Sequence, residues 1–94
     1  MMEGGVMEIP AEMAENYINR RIKDLEFLES ALDDENFLVC EQIGHRLKGS
    51  ALTFGFEELQ EVATQLETHA KQQDKESLAS DVNEFRNWVD KLIN

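Results

Sequence analysis

Apolar residues recur along this chain at three- and four-residue steps and almost never alternate, which is the pattern of amphipathic helices rather than strands. The first stripe runs Ala14, Tyr17/Ile18, Ile22, Leu25, Leu28 and Leu32, until Asp33-Asp34-Glu35 interrupts it. Pro10 costs nothing in a first helical turn, and Glu12 and Glu15 suit the positive end of the helix dipole. A second stripe, Phe37, Cys40, Gly44, Leu47, Ala51 and Phe54, follows Asp34 as the expected N-cap and stops at Gly55, a residue able to take the left-handed conformation. Glu57 and Glu58 open a third helix carrying Leu59, Val62, Ala63, Leu66 and Ala70. Asp74 is the expected cap of a fourth, where Leu78, Val82, Phe85, Val89 and Leu92 form a regular seam.

The pattern predicts helices over about residues 10–32, 35–54, 56–73 and 75–93, joined by turns short enough to make neighbours antiparallel. The expected fold is all-α, an antiparallel up-down-up-down four-helix bundle over residues 9–94, behind a flexible N-terminal tail at residues 1–8. Ninety-four residues suffice for one domain only. Leu, Ile, Val and Phe supply 25 of them, enough for a compact core but not for a deep substrate cavity.

Charge narrows the function. The net charge is −11, from 20 acidic against 9 basic residues, which opposes binding to nucleic acid or to an anionic membrane surface. One cysteine, Cys40, makes no intrachain disulfide, and no Cys/His ladder is present for a structural metal. No signal peptide or long apolar run is evident, so a cytoplasmic chain is expected. Each helical seam has a partner within the chain, so a monomer is expected as well.

Catalytic motifs such as HExxH, GxSxG and GxGxxG are missing from the sequence. Gly44-His45-Arg46-Leu47-Lys48-Gly49-Ser50 is not a phosphate loop either, because Lys48 precedes the second glycine and the segment lies inside a helix. What remains is His45. It stands about 100° round the second helix from Gly44, the middle of the apolar stripe, and should emerge on the flank of the bundle. Lys48 and Gly49, at i+3 and i+4, share its side of the helix. An imidazole, a cation and a missing side chain in one patch suit phosphoryl transfer onto histidine: the ring nitrogen attacks, the ammonium offsets phosphoryl charge, and the glycine admits a partner closely.

At these residues the sequence resembles the histidine-containing phosphotransfer (HPt) domains of bacterial phosphorelays and chemotaxis kinases. The matching segment is His45-x-Leu47-Lys48-Gly49-Ser50, with Gly55 ten residues after the histidine, then Leu59 and Leu66-Glu67. The resemblance implies a phosphoacceptor at His45, a Glu67 side chain that orients the imidazole, and a Lys48 that offsets phosphoryl charge. It also implies a partner surface over Glu41, Arg46, Lys48, Gly49 and Leu52. No ATP site and no cofactor are expected on this chain, which makes it a phosphotransfer intermediate rather than a complete enzyme. Mg²⁺ is expected on the partner, a response-regulator receiver domain, and a histidine kinase is the other expected partner. Where the family usually has alanine before the histidine, this chain has Gly44.

Blander readings stand beside these. The chain also fits an interaction module that binds a receiver or kinase without carrying phosphate, or the phosphotransfer domain of a larger histidine kinase. Metal binding by His45, Glu41 and His69 has no recognisable ligand spacing, so no metal site is expected. His69 reads as a solvated residue near the end of its helix, Ser50 as a small packed residue, and Arg20, Arg21 and Lys23 as a wet face.

Overall fold

The computed structural model describes residues 11–93. Four helices follow one another: α1 (Ala11–Asp33), α2 (Phe37–Phe54), α3 (Glu57–Lys71) and α4 (Lys75–Ile93). Each packs against its neighbours in sequence, and α1 packs on α4, which closes an up-down-up-down bundle with its long axis near 46 Å. The expected tail, the Pro10 start and the Ala14 side chain lie outside the described residues.

The stripes meet along the axis. Leu28, Cys40, Ala51, Leu59, Ala63, Leu66, Leu78 and Phe85 are fully buried, and all five positions expected of α3 are in the core. α1, α2 and α4 each bury a further apolar residue beside the expected stripe, Ala31, Ile43 and Trp88 respectively. In α4 the seam ends early: Leu92, in the final turn, is 36% exposed. Phe54, Tyr17, Phe56 and Trp88 pack in that order across one end of the bundle, tilted or edge-on, with centroid separations of 4.9, 5.3 and 5.6 Å.

Turn chemistry sets the helix limits. Gly55 takes φ 77°, and bonds from Phe56 N–H to Ala51 O and from Gly55 N–H to Leu52 O close α2 in a Schellman motif. α1 ends the same way with Glu35 at φ 55°, as Asn36 N–H reaches Ala31 O. A left-handed Glu35 cannot begin a helix, so α2 starts at Phe37 rather than 35, and its cap is Asn36, not Asp34. Asn36 Oδ1 accepts the Val39 N–H at 3.3 Å. α3 stops at Lys71 rather than 73 because Gln73 takes the left-handed position. Asp74 caps α4 as expected, accepting the Ser77 N–H at 3.1 Å.

Candidate functional site

The site is built where α2 and α3 are pressed together. Gly44 and Leu47 of α2 face inward among Ala63 and Leu66 of α3, so the next residue round α2, His45, emerges beside the next residue of α3, Glu67. His45 Nδ1 lies 3.0 Å from Glu67 Oε2. The His45 side chain is 70% exposed and that of Glu67 only 12%. The imidazole is therefore held by one edge and open on the other.

Glu67 is itself clamped. Lys48 Nζ reaches its Oε1 at 2.8 Å, and Lys71 Nζ stands 4.0 Å from its Oε2. The Lys48 ammonium bonded to it holds the Glu67 carboxyl below the usual carboxylate range, with the His45 bond adding to the effect and burial opposing it. An ionised carboxylate only accepts hydrogen bonds, so His45 Nδ1 must donate. In the neutral ring this leaves the lone pair on Nε2, the nitrogen away from Glu67.

The structure brings His45, Lys48 and Glu67 into one constellation, with Lys48 engaged on the carboxylate. At 100° per residue, Glu41, His45, Lys48, Gly49 and Leu52 fall within about 100° of arc on α2. Gly49 is exposed, and nothing lies within 4 Å of the place a Cβ would occupy. Leu52 is exposed too. Arg46 points toward α1, its Nη2 4.0 Å from Asp24 Oδ1.

Three neighbours were not anticipated. Phe27 on α1 and Leu38 on α2 are large, apolar and exposed, and Leu38 and Leu52 stand seven residues to either side of His45. Phe27, Ala31, Val39 and Ile43 line an open groove of about 990 Å³ between α1 and α2 that reaches His45 and Arg46. The available signal was phase: Phe27 and Leu38 fall outside the stripes of their helices. The third is Arg21. Far from being wet, its side chain is 11% exposed, lies 4.4 Å from the Tyr17 ring centroid, and donates to Asp24 and to Ser50 Oγ at 2.9 and 3.0 Å. Ser50, packed as expected, donates to the Tyr17 hydroxyl.

His69 is not solvated as expected. Its Nδ1 meets Asp81 Oδ2 at 2.6 Å, joining α3 to α4, and the Asp81 side chain is 4% exposed. Burial pushes the Asp81 carboxyl up, and the bond to His69 opposes that. This pair belongs to the α3–α4 seam, whereas His45 and Glu41 lie on α2. Among the described residues no group of three His, Cys, Asp or Glu side chains is placed to hold a metal ion, and no helix is long and apolar enough to cross a membrane.

A family model described as Hpt domain matches residues 12–94. No curated protein and no solved structure matches the chain.

Proposed function

The chain belongs to the Hpt domain family, which carries phosphoryl groups on histidine in phosphorelays, and on that premise we propose that His45 is its phosphoacceptor, exchanging with the aspartate of a response-regulator receiver domain. The observation that carries this reading is the held but open imidazole: Nδ1 is fixed by Glu67 at 3.0 Å while most of the ring faces solvent.

In the proposed step His45 Nε2 attacks the phosphorus of the receiver's aspartyl phosphate. The N–P bond forms as the P–O bond to the aspartate breaks, and the carboxylate leaves with its electron pair. The Nδ1 proton stays on the ring, hydrogen-bonded to Glu67, so the resulting positive charge is met by a carboxylate. In the return direction the imidazole leaves as the next receiver's aspartate attacks. Lys48 can exchange its contact with Glu67 for one with a phosphoryl oxygen, since it lies one turn from His45 on the same face. Mg²⁺ on the receiver would neutralise phosphoryl charge during transfer, and this chain needs no cofactor or ATP site of its own. A histidine kinase supplies the phosphoryl group at the head of such a relay.

Glu41, Arg46, Lys48, Gly49 and Leu52 form the proposed partner surface, extended by Leu38 and Phe27. Gly49 leaves room beside the ring for a tetrahedral phosphoryl group and a second protein. Since every helix packs on two others, the reading is of a monomer, working in the cytoplasm where receivers and kinase domains meet. The test is to incubate the chain with a phosphorylated receiver. Acid-labile, alkali-stable labelling that disappears in His45→Gln is expected, and labelling that survives the substitution sinks the assignment.

A further inference from the structure

Gly44 lies on the buried side of α2, against the backbone of α3. A Cβ at this position would stand 2.9 Å from Glu67 N, 3.2 Å from Glu67 Cα and 3.2 Å from Ala63 O. All three are backbone atoms, so no side-chain rotation relieves the contact. α2 and α3 would have to part by roughly 0.5 Å to bring the closest approach back to ordinary van der Waals distance. Glycine is a poor residue for the middle of a helix, so its presence here carries a cost that close approach explains.

Two of those three atoms belong to Glu67, the residue whose Oε2 receives the bond from His45, and Gly44 immediately precedes His45. The close contact inside the bundle and the imidazole–carboxylate pair outside it are two sides of one junction. We propose that Gly44 is a positioning residue: its missing side chain sets the α2–α3 separation at which the His45 ring and the Glu67 carboxylate meet. The consequence for rate rests on the phosphocarrier reading, while the consequence for the ring itself does not.

Gly49 supplies the comparison, because a methyl added there enters open space on the same helix. Gly44→Ala and Gly49→Ala are each compared with the wild type by ¹⁵N spectra of the His45 imidazole, and Gly44→Ala also by the rate of phosphoryl acceptance from a phosphorylated receiver. In Gly44→Ala the ring should change from a single Nδ1–H form to a mixture of tautomers. Acceptance should fall about tenfold, half the logarithm of the roughly 100-fold cost of a 1 Å misplacement. Gly49→Ala should leave the ring spectrum unchanged. A wild-type spectrum in Gly44→Ala, or the same shift in both variants, overturns the proposal. So does loss of fold in Gly44→Ala by circular dichroism, which would make the glycine a packing residue only. If the wild type takes no phosphoryl group from any receiver, the phosphocarrier reading fails and the ring spectra still decide the role of Gly44.

Discussion

Replacing Glu67 by alanine removes the acceptor that holds His45 Nδ1 and frees Lys48 from its 2.8 Å contact. A hydrogen bond to a charged group contributes about 1.5–3 kcal/mol. The ring is 70% exposed, so water replaces part of the lost interaction, leaving a penalty of about 1–2 kcal/mol on the competent tautomer and orientation. If that penalty is carried into the transition state, acceptance slows by roughly five- to thirtyfold. The assay is single-turnover transfer from a phosphorylated receiver, with the variant's melting temperature as control. Glu67→Gln, whose amide oxygen can still accept from Nδ1, should recover part of the loss. A Glu67→Ala protein that folds and accepts phosphoryl within twofold of the wild type would refute the orienting role, and so would a Glu67→Gln protein slower than Glu67→Ala.

Two further outcomes concern stability. Gln73 holds a left-handed conformation that costs an L-residue roughly 1–2 kcal/mol, so Gln73→Gly should stabilise the bundle by about 0.5–1 kcal/mol after allowing for the entropy of glycine in the unfolded chain, read as a higher urea midpoint. The two perturbed carboxyls should act on the pH dependence of melting with opposite signs. The depressed Glu67 contributes stability above the ordinary carboxylate range that is lost as pH falls through its lowered value, so the Glu67→Gln deficit against wild type should be larger at pH 7 than at pH 3. Asp81 is raised, so its folded form holds a proton more tightly than the unfolded chain, and its contribution worsens as pH rises from the ordinary range through the raised value. The difference between Asp81→Asn and wild type should therefore become more favourable to the variant from pH 3 to pH 7, and parallel trends in the two variants would contradict one of the two signs.

The helices and much of the site were legible because each depends on local spacing. The stripe of α3, the stop at Gly55 and the exposure of His45 follow from 3.6 residues per turn and from the backbone freedom of glycine. What escaped depends on residues far apart in sequence. Arg21 reads as surface charge until Ser50 and Tyr17 are placed beside it, and Asp81 reads as a polar residue of α4 until His69 arrives from α3. The start of α2 and the end of α3 differ from the expected positions because Glu35 and Gln73, neither of them glycine, take the left-handed conformation, a stop that composition does not announce. Gly44 was visible as a core glycine, but the backbone it touches was not.

The account rests on His45 accepting a phosphoryl group through the nitrogen turned away from Glu67. The most direct measurement is ³¹P and ¹⁵N NMR of the uniformly ¹⁵N-labelled chain after transfer from a phosphorylated receiver. The predicted spectrum places phosphorus on Nε2 of His45, with Nδ1 still protonated and hydrogen-bonded. Phosphorus on Nδ1, on His69, or on the His45→Gln chain would contradict it.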